Sequence, residues 1–218
     1  MTDHHPPDMS SLFTQEFWDE RYRGSDRVWS GEPNPRLVER VSDLTPGTAL
    51  DIGSGEGADA IWLAARGWHV TAIDVSTVAL ERAAGHAADW GKDVADRITW
   101  QQADVLSWEP SREQFDLVSS QFMQLPRLHL VPLNRHLAAA VRPGGSLLIV
   151  GHHPSDMHTS VRRPHNPDMF FTAEEIAAAL ESEKWLVVTA SAPERQVQDP
   201  NGQLVTIHDA VLHAVRRP

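Results

Sequence analysis

The sequence predicts an α/β fold built on a largely parallel β-sheet whose strands are connected by helices. Short β-branched runs alternate with helical segments from Thr48 onward, a rhythm that is typical of βαβ units. A glycine-rich segment, 53–57, separates the first strand from the first helix. The length of 218 residues and the apolar fraction of 41% suit one domain with its own packed core.

The elements of the sheet follow in order along the chain. Strands are expected at 48–52, 68–74, 97–102, 115–119 and 146–150, and the helices between them at 58–66, 76–90 and 131–142. A polar segment, 151–171, is unusually long for a loop and is expected to lie over a site. A helix at 172–182 and two antiparallel strands at 185–190 and 204–215 complete the expected sheet.

The residues before the sheet carry their own pattern. Amphipathic spacing predicts short helices at 14–22 and 35–43, within a helical cover over 13–47. Residues 1–12 lack the basic and apolar blocks of a signal peptide, and we expect them to be a disordered tail on a cytoplasmic protein. Residues 13–218 are expected to form a single domain.

Composition excludes several classes of function. The formal net charge of −11 disfavours a broad nucleic-acid footprint, because phosphate backbones are themselves anionic. The absence of cysteine excludes disulfides, cysteine zinc ligands and thiolate nucleophiles. The longest apolar run, 60–65, is far shorter than the roughly 20 residues of a membrane span. Neither a nucleic acid nor a membrane is an expected partner.

Acidic residues stand where each of the first three strands ends. Asp51 leads into the glycine segment, where the missing side chains allow a ligand to approach the backbone. Asp74 ends the second strand, and a carboxylate there can accept both hydroxyls of a ribose. Asp104 ends the third strand, where its carboxylate can accept from an adenine amino group beside the Val105 backbone. The alternatives are a glycine turn that only eases packing, and acids that cap helices or stay solvated.

Taken together, these motifs resemble the class I S-adenosylmethionine-dependent methyltransferases. The resemblance rests on 51–57, Asp74, Asp104 with Val105, the fourth-strand segment 115–118 and the turn 142–145, and it covers 48–150. It implies a Rossmann-like doubly wound α/β sheet of seven strands in the order 3-2-1-4-5-7-6, with the last strand antiparallel. It also implies S-adenosyl-L-methionine as cofactor and S-adenosyl-L-homocysteine as product.

The resemblance assigns roles to named positions. Gly53, Gly55 and Gly57 are expected to line the methionyl part, Asp74 to bind the ribose, and Asp104 with Val105 to hold the adenine. The other members of the expected cofactor-binding set are Asp51, Ser54, Val75, Gln121, Trp18 and Trp29.

The N-terminal segment resembles the cover of small-molecule members such as thiopurine and tellurite methyltransferases, through 17–19 and 28–34. Trp29 is placed to shield a sulfonium, since a cation and an aromatic face attract each other by roughly 0.5–2 kcal/mol. The alternative is that Trp18 and Trp29 are ordinary packing anchors.

Candidate acceptor-site residues come from the second half of the chain. His152 and His153 follow the fifth strand, and either one is a candidate to orient or deprotonate the acceptor. Arg195 is a candidate to bind an acidic acceptor group, and the alternative is an ion pair with a surface carboxylate. The histidine spacings match no compact zinc pattern, so no metal site is expected.

The predicted function is methyl transfer by in-line displacement to a small acceptor: a thiol, a phenol or other hydroxyl, or a chalcogen oxyanion. A non-catalytic S-adenosylmethionine sensor is an alternative, because the same motifs serve both. A nicotinamide-dependent oxidoreductase is a further alternative, which is opposed by the glycine spacing 53, 55, 57 in place of G-x-G-x-x-G.

Overall fold

The computed structural model describes residues 13–164 and 166–218, so the expected tail 1–12 and His165 lie outside the described residues. One sheet runs through the molecule in the order β3-β2-β1-β4-β5-β8-β6, with β7 paired to β8 beside this path. Its strands are β1 (Thr48–Ile52), β2 (His69–Asp74), β3 (Ile98–Gln102), β4 (Phe115–Gln121), β5 (Val141–His152), β6 (Trp185–Ser191), β7 (Glu194–Gln198) and β8 (Leu204–Arg216).

The first five strands are parallel and β8 is antiparallel to its neighbours β5, β6 and β7. This confirms the predicted fold class. The predicted sheet had seven strands, and the additional one is β7, which was expected to be a loop. Asp199 makes the strand possible, because its Oδ1 accepts from the N–H groups of Asn201 and Gln203 and closes a hairpin turn between β7 and β8.

The helices are α1 (Gln15–Arg23), α2 (Pro35–Val41), α3 (Ala58–Ala65), α4 (Thr77–Asp89), α5 (Lys92–Ala95), α6 (Arg127–Ala140) and α7 (Ala173–Ala178). Ser76 caps α4 as predicted, since its hydroxyl accepts from the Ala79 N–H at 3.1 Å. Thr172 and Glu175 form a reciprocal capping box at the start of α7. The predicted single domain over 13–218, with a cover over 13–47, stays a prediction.

Two helix boundaries differ from the expectation by four residues, more than the others. α6 begins at Arg127 instead of 131 and contains Pro132. The helix continues across this proline because Leu130, Leu133 and Leu137 recur on one face and are buried in the core, and that packing outweighs the lost hydrogen bond. α7 ends at Ala178, four residues before the expected position.

The central strand β1 supplies the core on both sides of the sheet. Leu50 and Ile52 pack into the hydrophobic layer under α6 and α7, whereas Ala49 packs into the layer under α3. Alternation along the strand has this effect, because successive side chains point to opposite faces. The carboxyl end of β1 is thereby held in the middle of the molecule, where the glycine segment begins.

The segment after β5 is more ordered than a loop. It continues β5 to His152 and then forms two short 3₁₀ turns, Pro154–His158 and Pro167–Met169. Over 13–164 and 166–218, no helix is long and apolar enough to cross a membrane.

Candidate functional site

A cleft of about 540 Å³ opens at the carboxyl ends of the parallel strands. It contains all the sequence-predicted cofactor-binding residues together with two of the three predicted acceptor-site residues. These residues are Trp18, Trp29, Asp51, Gly53, Ser54, Gly55, Gly57, Asp74, Val75, Asp104, Val105, Gln121, His152 and Arg195. The position at the strand ends is where open α/β sheets bind ligands.

The glycine segment folds tightly against Asp74 and the N-terminal cover. The Gly55 N–H donates to Asp74 Oδ2 at 2.8 Å, with φ of 53° in the left-handed region. A Cβ at this position would lie 3.0 Å from the Tyr22 hydroxyl and 3.1 Å from Trp29 Nε1. Glycine is therefore required here both by the backbone angle and by the close approach of the cover.

Asp74 lies buried at the end of β2 and faces the cleft. Its second oxygen, Oδ1, accepts from the Ser76 N–H at 2.9 Å. Burial raises the pKa of this carboxyl, and the N–H groups of Ser76 and Gly55 oppose that rise. The side chain is fixed by the backbone on both sides, as a preorganised ligand-binding carboxylate would be.

Asp51 is a buried acid of the cleft with one unpartnered oxygen. It is 2% exposed, and among the described residues its Oδ2 has no hydrogen-bond partner. Burial and the nearby charges of Asp59 and Asp74 raise the pKa of Asp51 well above its usual range. A buried carboxylate without a donor has a large desolvation cost, which a cationic donor from a ligand would offset.

Asp59, at the start of α3, extends this acidic end of the cleft. Its Oδ1 accepts from the Asn34 N–H at 2.6 Å, which ties the cover to α3. Burial raises the pKa of Asp59 to about 6. We use "donor end" for the part of the cleft lined by Asp51, Asp59, Asp74 and the glycine segment.

Asp104 partly agrees with the alternative that an acid at a strand end caps local backbone. Its Oδ1 accepts from the Leu106 N–H at 2.9 Å, which closes the turn after β3. The residue is half-buried and lines the cleft beside Val105. The side chain thus shapes the turn and faces the ligand space at the same time.

The cover brings an aromatic cluster to the donor end. Trp29 Nε1 donates to the Tyr22 hydroxyl at 2.9 Å, and the Trp18 and Trp29 rings lie 6.5 Å apart. Trp29 remains 43% exposed, although it lines the cleft. The cluster therefore combines mutual packing with an aromatic surface that is open to a ligand.

The opposite part of the cleft, lined by Phe122, His152 and Arg195, is called the acceptor end below. Phe122 follows β4 with φ of 53°, an unusual backbone angle for a bulky residue. Its ring lies 4.9 Å from the His152 ring and 5.9 Å beneath the Arg195 guanidinium. An aromatic face, an imidazole and a cation thus share one wall.

His152 is held neutral at physiological pH. Burial and the charges of Arg163 and Arg195 lower its pKa to about 4. The Gln124 side-chain amide lies 3.2 Å from His152 Nε2 and holds the ring in place. Nδ1 is buried and has no partner in the part of the chain that the structure describes.

Arg195 forms an ion pair, as the alternative in the sequence analysis has it, but its partner is a buried carboxylate and not a surface one. Its Nε donates to both oxygens of Asp209 at 3.0 and 2.9 Å. Asp209 is 1% exposed and also accepts from Arg36 Nε at 3.1 Å. Arg36 also pairs with Glu39, so Arg195 is the arginine among the described residues that brings a positive charge to the cleft wall.

His153 does not line the cleft, so its assignment to the acceptor site stays a prediction without support from the cleft. Its Nδ1 accepts from the Ser155 N–H at 3.2 Å, and its ring lies 6.0 Å from the His208 ring. Adjacent residues at the end of a strand point to opposite faces, so only one of the two histidines can turn inward.

The long segment after β5 also differs from its expected place over the site. Apart from His152, its described residues do not line the cleft. Asp156 holds the segment against β8, since its carboxylate accepts from the His208 N–H and from Arg163.

Sequence reasoning missed Tyr22, Glu56, Asp59, Phe122 and Gln124, which all line the cleft. Glu56 had a signal in the sequence, because it is a charged side chain inside an otherwise small-residue turn. The others had none, because their relevance depends on contacts between segments that are far apart in the chain.

The fold is a doubly wound α/β sheet, and the cleft lies at the topological switch between β1 and β4, where such sheets bind ligands. A family described as "Methyltransferase domain" matches residues 49–145. A curated relative from Mycobacteroides abscessus, 2-heptyl-1-hydroxyquinolin-4(1H)-one methyltransferase, is 24% identical over 185 residues, which cover 76% of this chain and 80% of that protein.

Two further similarities agree with this match. "Probable thiol methyltransferase 2" from Arabidopsis thaliana is 28% identical over 136 residues, covering 60% of this chain and 59% of that protein. The solved structure of the N-methyltransferase NodS from Bradyrhizobium japonicum, in complex with S-adenosyl-L-homocysteine, superposes with a TM-score of 0.67. It has 22% sequence identity and covers 94% of this chain and 99% of that one.

The chain is similar to the class I S-adenosylmethionine-dependent methyltransferases, and the matched domain and these relatives support S-adenosylmethionine-dependent methyl transfer. The residues of the donor end fit the cofactor of this class. The glycine segment lines the cleft with backbone, and the unpartnered Asp51 oxygen suits a cationic ligand.

Proposed function

We propose that this enzyme transfers a methyl group from S-adenosylmethionine to a small, electron-rich acceptor bound as an anion: a thiol, a phenol or other hydroxyl, or a chalcogen oxyanion. The observation that carries the proposal is the opposite charge of the two ends of one cleft. Carboxylates line the donor end, whereas Arg195 and the neutral imidazole of His152 line the acceptor end. A cationic donor and an anionic acceptor would each meet complementary charge.

The residues proposed to hold the cofactor are those of the donor end and their neighbours along the cleft wall. Asp74 is assigned to the ribose hydroxyls, with Val75 beside it, and Asp104 with Val105 to the adenine. Gly53, Ser54, Gly55 and Gly57 would surround the methionyl part, with its ammonium group near Asp51. Trp18, Trp29 and Gln121 would complete the wall. When bound, S-adenosylmethionine supplies an electrophilic methyl group on a sulfonium.

The size of the cleft supports a small acceptor. Its volume of about 540 Å³ has to contain both the cofactor and the acceptor. The expected absence of a nucleic-acid partner agrees with the net charge of −11. Relatives named for a hydroxyquinolone and for a thiol support acceptors of the hydroxyl and thiol classes. The cytoplasmic location stays a prediction.

The reaction requires little covalent help from the protein. A lone pair of the acceptor forms the bond to the methyl carbon while the bond from that carbon to sulfur breaks. Alignment of the three atoms and exclusion of water provide most of the rate enhancement. Arg195 would hold the acceptor as its anion, with the neutral imidazole of His152 beside it in the wall. No strong base is then needed, which agrees with the low pKa of His152.

The proposal is tested with the purified chain, methyl-labelled S-adenosylmethionine, and a panel of alkyl thiols, phenols, N-hydroxy heterocycles and tellurite. Fractionated cell extract provides a wider acceptor pool, and boiled protein provides the blank. We expect label in small-molecule fractions. Label only in RNA or protein would contradict the acceptor class. Binding of S-adenosylhomocysteine without transfer to any fraction would favour the sensor alternative.

A further inference from the structure

The carboxylate of Glu56 is a buried junction between the glycine segment and the N-terminal cover. The residue is 5% exposed, although it stands in a turn between a strand and a helix. Its Oε2 accepts from the Val28 N–H at 3.1 Å and from the Trp29 N–H at 3.0 Å. Its Oε1 accepts from Arg82 at 3.0 Å.

Arg82, on α4, closes the junction from the other side. Its second guanidinium nitrogen donates to the Tyr22 carbonyl at 2.7 Å. Tyr22 in turn accepts from the indole N–H of Trp29 through its hydroxyl. A continuous set of hydrogen bonds therefore runs from Glu56 to both the backbone and the side chain of Trp29.

Apolar packing does little to hold the segment that carries Trp29. Val28 is half-buried, and all other residues from Gly24 to Glu32 are exposed. Burial of so little surface contributes little to the position of the segment. The N–H groups of Val28 and Trp29 bind a buried carboxylate instead, and hydrogen bonds to charged groups are the stronger ones.

We propose that Glu56 is a positioning residue that holds Trp29 over the donor end of the cleft and thereby strengthens cofactor binding. This inference rests on the proposed function, because it takes Trp29 to be a wall of the cofactor site. Glu56 acts through Trp29 in this arrangement, and its own carboxylate is fully occupied by Arg82 and the cover.

The exchange Glu56→Gln removes this junction with little change of shape. A carboxylate accepts on both oxygens, whereas an amide has one accepting oxygen and one NH₂ group. Either Arg82 or the N–H pair of Val28 and Trp29 then faces a donor. The segment should lose its fixed position even when the rest of the chain folds normally.

The experiment is a double-mutant cycle with Glu56→Gln, Trp29→Phe and both together. Affinity for S-adenosylhomocysteine is measured by calorimetry, with thermal unfolding recorded for every variant. We expect Glu56→Gln to weaken binding about tenfold and Trp29→Phe to weaken it several-fold. In the Trp29→Phe background, Glu56→Gln should weaken binding by less than threefold.

Two further variants make the test specific. Arg82→Gln removes the partner of Glu56 on α4. It should weaken binding of S-adenosylhomocysteine by less than Glu56→Gln does, and this effect should also depend on Trp29. Arg82→Gln replaces Glu56→Gln in the cycle if the latter variant does not fold. Asp116→Asn is the matched control, because Asp116 pairs with Arg142 and accepts from Thr48 at the opposite end of the sheet. It should lower thermal stability and leave the affinity unchanged.

Additive effects of Glu56→Gln and Trp29→Phe would overturn the inference, because Glu56 would then act on the glycine segment directly. Unchanged affinity in either single variant would overturn it as well. These results differ from a failure of the proposed function, in which the wild-type chain itself would not bind S-adenosylhomocysteine or transfer methyl groups.

Discussion

The donor end and the acceptor end of the cleft are built in different ways. Asp51, Gly55 and Asp74 lie within 24 residues of one another, and backbone N–H groups of the same region fix their positions. The acceptor end is assembled from three separate strands: Phe122 follows β4, His152 ends β5 and Arg195 lies on β7. Side-chain contacts fix these residues. A local backbone arrangement therefore builds the donor end, whereas the assembled sheet builds the acceptor end.

The two ends also differ in charge, and this difference separates their functions. Buried carboxylates at the donor end disfavour anionic ligands and favour cationic ones. The Arg195 guanidinium, which lines the acceptor end, reverses that preference there. Variants at one end should therefore change affinity for one ligand and leave affinity for the other nearly unchanged.

The largest expected effect is that of Asp74→Ala at the donor end. It should weaken binding of S-adenosylhomocysteine by roughly 1.5–3 kcal/mol, the cost of losing hydrogen bonds to a charged group. Calorimetry on the folded fraction measures this change. Asp74→Asn is the control, because the amide retains the shape and one accepting oxygen. Wild-type affinity in Asp74→Ala would contradict the assignment of this residue to the ribose.

Arg195→Ala should act only at the acceptor end. We expect the KM for an anionic acceptor to rise by about tenfold, the contribution of one charge-assisted contact. Affinity for S-adenosylhomocysteine should stay within twofold of the wild type. Arg195→Lys retains the charge and should show a smaller rise of KM. If affinity for S-adenosylhomocysteine fell by the same factor as KM rose, the two ends would not be separable.

Asp59→Asn tests the acidic character of the donor end through the pH dependence of stability. The folded pKa of about 6 lies above the ordinary value of 3.8, so folding binds a proton that the unfolded chain releases between these values. This residue therefore contributes stability at low pH that is lost as the pH rises through about 6. Relative to the wild type, Asp59→Asn should gain up to about 3 kcal/mol between pH 4 and pH 8.

Denaturant unfolding at several pH values measures that difference. Glu175→Gln is a useful contrast. In the wild type, the Glu175 carboxylate accepts from the Thr172 N–H and from Arg127, and these hydrogen bonds lower its pKa. Its contribution is present at neutral pH and is lost as the pH falls, the opposite sign to that of Asp59. A pH-independent difference between wild type and Asp59→Asn would show that Asp59 ionises normally.

The smallest expected effect concerns His152. Its pKa of about 4 lies below the ordinary 6.5, so the imidazole stays neutral as the pH falls from 7.5 to 5.5. With an acceptor whose own ionisation is complete in this range, kcat/KM should change by less than about twofold. The pH profile of His152→Gln should have the same shape. A fall of kcat/KM centred near 6.5 that is absent in the variant would contradict a neutral His152.

Much of the donor end could be predicted from the sequence because its signals are local. Strand ends, the glycine spacing and the cap at Ser76 each depend on a few neighbouring residues, whose propensities act over one turn of chain. The cleft does contain Asp51, Asp74 and Asp104, although their binding roles stay predictions. The order of the sheet followed from the family resemblance, and its eighth strand did not, because β7 exists through pairing with β8.

The tertiary structure alone decided the contacts that join distant segments. Glu56 meets Trp29 and Arg82 only when the cover folds over α4, and Arg195 meets Asp209 only across the β7–β8 hairpin. The choice between His152 and His153 depends on the register of β5 against β8, since a shift by one residue exchanges the faces. The sequence by itself determined the local chemistry at the strand ends. Burial and long-range pairing determined which charges were neutralised, which side chains reached the cleft, and which pKa values shifted, because these depend on neighbours that no local pattern specifies.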